Sequence, residues 1–122
     1  MGAVSACSFD LPWPPSVNRY YRHVGPRVLI SREGRKSRMM TVSRLGGLYP
    51  KFLGLVSIYA EFFPPDRRRR DLDNVGGKAL LDSLVHAGLM EDDSQIKELH
   101  LKMLDPIPGG LVHVVCKEIS DG

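Results

Sequence analysis

The sequence has little of what marks membrane, secreted or disulfide-stabilised proteins. No apolar run approaches the ~20 residues that a membrane-spanning helix needs, so we expect no membrane association. Only two cysteines, Cys7 and Cys116, occur among the 122 residues. They cannot form a disulfide framework, which favours a reducing compartment such as the cytoplasm. No basic segment precedes Val4, so the N-terminus does not predict a secretory signal.

The low hydrophobicity and strong net charge of disordered chains are also absent. Hydrophobic residues make up 43% of the sequence and the formal net charge is +3, which predicts one globular domain over residues 1–122. The charge is nevertheless uneven. Residues 1–70 contain thirteen Lys and Arg against four Asp and Glu, whereas residues 71–122 contain four against ten. This asymmetry suggests a polyanion-binding surface beside a cation-binding site, although a solvated surface without function would give the same counts.

Apolar periodicity predicts strands that alternate with two main helices. The predicted strands are residues 4–11, 27–31, 55–63, 96–104 and 111–119. Gly25-Pro26 predicts a turn, so residues 16–23 are expected to pair with 27–31 as a hairpin. The two helices are expected at 32–45 and from about 74 to 87. This order predicts an α/β (α+β) domain, a mixed β-sheet of about five to six strands packed with two main helices.

Local signals support the ends of both helices. Ser31 is a candidate N-cap for the first helix, and Asp73 or Asn74 for the second. Gly88 is a natural end for the second helix, because glycine adopts the left-handed conformation that closes a helix at little cost. On that helix Lys78 and Asp82 are four residues apart and can form an ion pair.

The segment 64–74 has the strongest functional signal. Two prolines oppose a helix at its start, and four arginines, Arg67, Arg68, Arg69 and Arg70, follow them. Asp71 and Asp73 come next, and in an extended segment their side chains point to the same side. Two converging carboxylates repel each other unless a cation or proton joins them, so this pair predicts a metal site beside an anion-binding arginine run.

A third carboxylate is expected from Asp92 or Asp93, which follow the second helix. Mg²⁺ prefers one or two protein carboxylates together with water and substrate phosphates. The metal would activate water, and Lys78 would stabilise the transition state or the leaving oxygen of phosphodiester hydrolysis. Each signal alone has a structural explanation, since Asp73 could be only an N-cap and Asp92-Asp93 only a turn.

Other sites are not supported by the spacing of residues. Gly76-Gly77-Lys78-Ala79 lacks the first glycine and the Ser or Thr of a phosphate-binding loop. His113 and Cys116 are three residues apart, which on a strand places them on opposite faces and argues against zinc. Residues 16–23 mix aromatic and basic side chains, so Arg19 and Arg22 are candidate DNA contacts. A strand edge with half-buried tyrosines would explain that segment equally well.

Taken together, these motifs resemble the RusA family of Holliday junction resolvases. The likeness comprises residues 11–16, 18–23, 65–74, 78–82 and 91–95 in order, of which Arg70-Asp71-Leu72-Asp73-Asn74 is the most specific. The resemblance implies a RusA-like fold and a homodimer that binds four-way junction DNA. It also implies paired symmetric nicks, made with Mg²⁺ or Mn²⁺ in DNA recombination and repair. The family occurs in bacteria and prophages, so a cytoplasmic protein of bacterial or phage origin is expected.

The resemblance also assigns roles to individual residues. Asp71, Asp73 and Asp93 correspond to the metal-binding carboxylates, Lys78 to the essential lysine, and Asp92 and Asn74 to supporting neighbours. One departure concerns the spacing, because three residues separate Asn74 from Lys78 where typical members have two. An extra residue rotates a helix position by about 100°. The glycines at 76 and 77 could absorb this rotation in an irregular turn.

Two other functions fit the same residues. A displaced Lys78 would suit a protein that binds branched DNA without cutting it. An enzyme acting on a nucleotide sugar could use Asp71 and Asp73 on a diphosphate, although the short chain leaves little room for two substrate pockets and does not need the arginine run. Paired symmetric nicks in a labelled junction would exclude a pure binding protein.

Overall fold

The computed structural model describes residues 6–47, 49, 51–72 and 77–119. Its strands are β1 (Ala6–Leu11), β2 (Tyr21–Val24), β3 (Arg27–Ile30), β4 (Val56–Phe63), β5 (Ile96–Met103) and β6 (Leu111–Glu118). Its helices are α1 (Val17–Tyr20), α2 (Arg32–Leu45), α3 (Gly77–His86) and a one-turn 3₁₀ helix, Asp93–Gln95. None of the described helices is long and apolar enough to span a membrane.

The main sheet has four strands in the order β1-β6-β4-β5. β4 pairs antiparallel with β6 and parallel with β5, so the sheet is mixed. The strict alternation of β4 explains its central place, because Val56, Ile58, Ala60 and Phe62 are all buried on one face. The predicted mixed α+β class is therefore confirmed.

Both main helices cover this same face of the sheet. Leu45 at the end of α2 and Leu80 and Leu84 of α3 join the core residues of the strands in one cluster. Ser31 caps α2 as predicted, since its Oγ accepts a hydrogen bond of 2.9 Å from the N–H of Gly34. Gly88 follows α3 with φ +88°, the left-handed conformation expected where a helix ends.

The strands do not form one sheet, which corrects the sequence prediction. Within the described residues, β2 and β3 pair with each other and with no strand of the main sheet, as a separate two-stranded sheet. The predicted hairpin is thus present, but it stands apart from the main sheet. A short helix, α1, precedes it, and the carbonyl of Ser16 accepts the N–H groups of Arg19 and Tyr20. Nothing in the apolar pattern predicts so short a helix.

Apart from the start of β2, at Tyr21 and not at residue 16, the other boundaries that fall on described residues agree with the prediction to within about two residues, the usual uncertainty of such ends. Residues 4 and 5 of the predicted first strand lie outside the described residues. So do Asp73 and Asn74, the predicted N-caps of the second helix. His113 and Cys116 lie on opposite faces of β6, as predicted: Nδ1 of His113 lies 2.7 Å from Oδ1 of Asp10, and Cys116 belongs to the core.

Candidate active site and nucleic-acid interface

The arginine segment after β4 is an ordered loop. One oxygen of Asp66, Oδ1, accepts a 2.9 Å hydrogen bond from the backbone N–H of Arg68 and lies 2.9 Å from Nη2 of Arg70. The carbonyl of Pro64 accepts the N–H of Ile107, which fixes the start of the loop against the turn before β6. Asp66 therefore organises the loop by joining its backbone to its last arginine.

Arg70 is the structural member of the four arginines. Its side chain is only 16% exposed, and its Nη1 donates 3.1 Å hydrogen bonds to the carbonyls of Asp66 and Arg68. Its guanidinium carbon lies 5.5 Å from the ring centroid of Trp13, a cation–π arrangement. Trp13 in turn packs edge-on against Phe62 of β4. Arg70 is thus held between Asp66 and Trp13.

The other three arginines are exposed. Arg67 and Arg69 make no hydrogen bond or ion pair through their side chains within the described part of the chain, whereas Arg68 lies 4.0 Å from Asp66. The loop borders an open cavity of about 320 Å³ that Met103 and Leu104 line on the other side. This surface offers several guanidinium groups to an anion, and guanidinium forks suit phosphate oxygens.

The pKa of Asp66 is held below its usual value of 3.8, first by the hydrogen bond from the N–H of Arg68 and then by the guanidinium of Arg70. The carboxylate therefore stays ionised to lower pH than a free side chain. The loop keeps its internal ion pair throughout the neutral range.

Asp71 comes directly after this loop, and its side chain is exposed. Its predicted partner Asp73 lies outside the described residues, as does Asn74. Asp71 follows the C-terminal end of β4 by eight residues. The next helix, α3, begins at Gly77 near Leu101 of β5. A Cβ added to Gly77 would lie 3.6 Å from Cδ1 of Leu101. The start of α3 therefore lies over the sheet, beside the residue of β5 that pairs with Ala60.

Asp92 and Asp93 have separate roles in their turn. Asp92 is the N-cap of the 3₁₀ helix: its Oδ2 accepts a 3.1 Å hydrogen bond from the N–H of Ser94, and the side chain of Gln95 accepts from the N–H of Asp92. Hydrogen bonds from the side chain and then from the backbone N–H of Ser94 lower the pKa of Asp92. Asp93 is exposed and makes no such cap, so it is the carboxylate of the two that is available to a ligand.

Gln95 anchors this turn to the body of the protein. Its amide nitrogen donates to the carbonyls of Phe52 and Gly54, at 3.0 Å and 2.8 Å. The turn leads into β5, which starts beside Val56 at the N-terminal end of β4. The parallel pairing of β5 with β4 thus places Asp93 near the start of β4, whereas Asp71 follows the end of β4. Their convergence on one ion stays a prediction.

Lys78 lies in the first turn of α3, and its side chain is exposed. Its Nζ is 5.0 Å from the ring centroid of Tyr21, the first residue of β2. The spacing along the helix suggested an ion pair between Lys78 and Asp82, but the structure does not contain it. Oδ2 of Asp82 instead lies 2.7 Å from Nη2 of Arg38, and it also accepts the hydroxyl of Tyr20 at 3.0 Å.

No spacing pattern predicts this network of Tyr20, Arg38 and Asp82. Its members come from α1, α2 and α3, so no spacing along the chain relates them. The one indication is that Tyr20 is aromatic and polar, since buried tyrosine hydroxyls usually require a partner. The Tyr20 ring is fully buried, and its hydroxyl also lies 3.1 Å from Oγ of Ser83.

The exposed carboxylates have the oxygen donors that a divalent metal ion requires. Within residues 6–47, 49, 51–72 and 77–119, no three His, Cys, Asp or Glu side chains form a group that could hold an ion. Asp71 and Asp93 are both exposed oxygen donors, the type that Mg²⁺ and Mn²⁺ prefer. Of the predicted DNA contacts near the N-terminus, Arg22 is exposed on β2, and Nε of Arg19 lies 4.0 Å from Glu33.

Known proteins share these motifs over nearly the whole chain. The family model described as endodeoxyribonuclease RusA matches residues 12–114. Crossover junction endodeoxyribonuclease RusA of Shigella sonnei (strain Ss046) is 41% identical over 117 residues, which cover 93% of this chain and 96% of the relative. The protein of that name from Escherichia coli (strain K12) is 40% identical with the same coverage, 93% and 96%.

A phage protein gives the same result. The crossover junction endodeoxyribonuclease of Enterobacteria phage HK97 is 38% identical over 116 residues, or 92% of this chain and 94% of the relative. The resemblance read from the arginine–aspartate segment is therefore confirmed. This chain belongs to the RusA family of endodeoxyribonucleases.

Proposed function

We propose that this protein is a metal-dependent endonuclease that resolves four-way DNA junctions by paired symmetric nicks. The observation that carries the proposal is the ordered, exposed arginine loop that ends at Asp71, in a chain of the RusA family. The relatives of 38–41% identity are named crossover junction endodeoxyribonucleases, which supports the same substrate here. Recombination and repair are the processes in which such junctions arise.

The arginine loop binds the DNA backbone. Arg67, Arg68 and Arg69 are exposed and lie next to an open cavity, and among them Arg68 alone has a described ion-pair contact, 4.0 Å from Asp66, to exchange for a phosphate. Phosphate contacts position a protein on DNA without reading the bases. Selection of a junction then follows from its shape. Arg19 of α1 and Arg22 of β2 are exposed and are further candidate contacts to the DNA backbone, and Arg70 holds the loop through Asp66.

The carboxylates hold the catalytic cation. Asp71 and Asp93 are its ligands together with Asp73, and Mg²⁺ is the expected ion, with Mn²⁺ as a substitute. When bound, the ion lowers the pKa of water and offsets the charge that develops on the phosphate. Lys78 supplies a further positive charge to the reacting phosphate or the leaving oxygen. Asp92 shapes the turn that presents Asp93, through its cap on Ser94.

Two copies of the chain act together. A four-way junction is resolved by two nicks in strands of like polarity, which requires two active centres related by symmetry. We therefore propose a homodimer that acts in the cytoplasm of a bacterium or of a phage-infected cell. Sedimentation analysis at micromolar concentration tests the dimer.

The test of the proposed function is cleavage of a labelled four-way junction in Mg²⁺. The wild-type protein should produce paired nicks at symmetric positions. Asp93→Asn should bind the junction with unchanged affinity and lose cleavage, because it removes a ligand of the ion and no phosphate contact. Glu98→Gln removes an exposed carboxylate from nearby β5 and serves as the matched control.

Two results would refute the proposal. Full cleavage by Asp93→Asn would end the catalytic assignment of this carboxylate. Junction binding by the wild-type protein without nicks, in Mg²⁺ and in Mn²⁺, would favour the non-cleaving branched-DNA-binding protein.

A further inference from the structure

Asp82 stands one helical turn after Lys78 on α3, the spacing at which a lysine and an aspartate neighbour each other on a helix. The structure does not contain that ion pair. Oδ2 of Asp82 lies 2.7 Å from Nη2 and 3.1 Å from Nε of Arg38. The hydroxyl of Tyr20 donates to the same oxygen at 3.0 Å. The ammonium of Lys78 lies over the ring of Tyr21 instead.

We propose that Arg38 is a positioning residue for catalysis: by occupying the carboxylate of Asp82, it prevents Asp82 from capturing Lys78. This inference rests on the proposed function, in which Lys78 acts on the reacting phosphate. Among the described residues, the side chain of Arg38 makes hydrogen bonds to Asp82 and His86 and none to Asp71, Asp93 or the arginine loop. Its effect on the reaction passes through Asp82 to Lys78.

The geometry favours Arg38 over Lys78 as the partner of Asp82. Two nitrogens of the Arg38 guanidinium meet one carboxylate oxygen, a fork that a single ammonium cannot reproduce. The pair is partly buried, with side chains 22% and 34% exposed, so water screens it less than a surface pair. Tyr20 of α1 is fully buried, and its hydroxyl donates a further hydrogen bond to the same carboxylate oxygen of Asp82.

Removal of Arg38 would leave the carboxylate of Asp82 without its guanidinium partner. The carboxylate would keep the hydrogen bond from Tyr20, and Lys78, four residues earlier on α3, stands at the spacing that allows a new ion pair. His86, whose Nε2 lies 3.4 Å from Nη1 of Arg38, is the other basic side chain within reach. A captured Lys78 would have to leave its ion pair before it could reach a phosphate, which slows the reaction without weakening DNA binding.

The experiment compares Arg38→Met, Asp82→Asn and the double variant. Met keeps much of the apolar stem of Arg38 and removes its charge. Single-turnover cleavage of a four-way junction is measured in Mg²⁺ with protein in excess, and junction affinity in Ca²⁺. Arg44→Met removes one exposed arginine from the same helix and is the matched control. If Arg38→Met does not fold, Arg38→Gln replaces it.

We expect Arg38→Met to slow cleavage by about two- to sixfold, the range for one solvent-accessible ion pair between Lys78 and Asp82, with affinity unchanged within about twofold. The double variant should recover the rate of Asp82→Asn, because the capturing carboxylate is gone. A purely structural role could also be relieved in the double variant, because Asp82→Asn removes the unpaired charge, so thermal unfolding of the three variants is measured beside the rates. Cleavage rates that follow the unfolding midpoints, or a double variant as slow as Arg38→Met, would overturn the proposal.

A second readout does not depend on cleavage. The rate at which an amine-reactive ester modifies Lys78, followed by mass spectrometry, should fall in Arg38→Met and recover in the double variant. Lys97, exposed on β5, is the internal reference. Unchanged reactivity of Lys78 in Arg38→Met would overturn the inference, and would point to His86 as the new partner of Asp82.

The two readouts separate this inference from the proposed function. If the wild-type protein does not cleave junctions, or if Lys78→Ala cleaves at the wild-type rate, the proposed catalytic role of Lys78 fails. Lysine reactivity then still decides whether Arg38 keeps Asp82 away from Lys78.

Discussion

Of the glycines in the described part of the chain, Gly34 is the one at which an added methyl group would meet the closest obstacle. It lies in the first turn of α2, where the helix passes over the end of α1. A Cβ at this position would overlap the carbonyl oxygen of Tyr20 and lie 2.8 Å from Cγ1 of Ile30. The obstacle is backbone, so it cannot turn away as a flexible side chain would. Gly34→Ala must therefore displace α2 from α1.

The cost of that displacement can be estimated from the bonds it strains. The carbonyl of Tyr20 accepts hydrogen bonds from the N–H of Ser31 at 2.8 Å and from its Oγ at 2.9 Å. Overpacking costs about 1–3 kcal/mol and each weakened hydrogen bond about 0.5–1.5 kcal/mol. The better helix propensity of alanine returns at most about 1 kcal/mol. With the middle of each range, the net loss of unfolding free energy is about 3 kcal/mol, and we expect a value of about 2–4 kcal/mol.

Thermal unfolding of Gly34→Ala provides the test. At about 2.1 cal/mol/K of unfolding entropy per residue, each kcal/mol shifts the midpoint of a chain of this length by about 4 °C, so a fall of about 8–15 °C is expected. Gly77→Ala is the matched control. Among the described residues its Cβ would meet Cδ1 of Leu101, at the ordinary contact distance of 3.6 Å, and the change should raise the midpoint by about 2–4 °C. An unchanged or raised midpoint for Gly34→Ala would refute the close packing of α2 on α1.

Three further predictions concern the hydroxyl network, the arginine loop and DNA binding. Tyr20→Phe should lower the unfolding free energy by about 1–3 kcal/mol in urea titrations. Burial raises the pKa of Tyr20 above its usual 10.0, so this hydroxyl stabilises the fold fully below pH 10.0 and loses its effect as the pH rises through the folded value. The difference in unfolding free energy between wild type and Tyr20→Phe should therefore become smaller above pH 10.0. A difference that stays constant would contradict the stabilising role of this hydroxyl. Asp66→Asn should change the fluorescence of Trp13, the only tryptophan, because Arg70 loses its carboxylate partner, and an identical emission spectrum would count against the loop as described. In Arg67→Ala/Arg69→Ala the log–log slope of junction affinity against salt should be less steep by about 2, from about 0.9 per phosphate contact, and an unchanged slope would show that these arginines do not contact DNA.

Strong local patterns predicted the framework of the fold. The alternation of β4 gave its limits and its buried face, because a strand covered on one side must place apolar residues at every second position. Ser31 was predictable as an N-cap, since its side chain competes for the first free N–H groups of a helix. These features depend on residues close together in the chain.

Features that depend on distant residues were not predictable in the same way. The hairpin was recognised from Gly25-Pro26, but nothing in its sequence states whether it joins the main sheet. The spacing of Lys78 and Asp82 allowed an ion pair, and Arg38, 44 residues before Asp82, takes its place. Spacing describes which contacts a helix permits, whereas tertiary packing decides between competitors.

The candidate site shows the same division. The arginine run predicted an anion-binding surface, but it did not reveal that Arg70 lies under Trp13 and belongs to the loop's own structure. Asp92 and Asp93 are adjacent in sequence, yet only the structure separates the capping carboxylate from the exposed one.

Binding of Mn²⁺ by calorimetry tests most directly whether carboxylates from two separate segments share one cation. Asp71→Asn and Asp93→Asn should each weaken Mn²⁺ binding by at least about tenfold, because each removes an anionic oxygen ligand. Glu98→Gln should bind as the wild type does. If Asp71→Asn loses the ion while Asp93→Asn retains it at wild-type affinity, the two segments do not form one metal site.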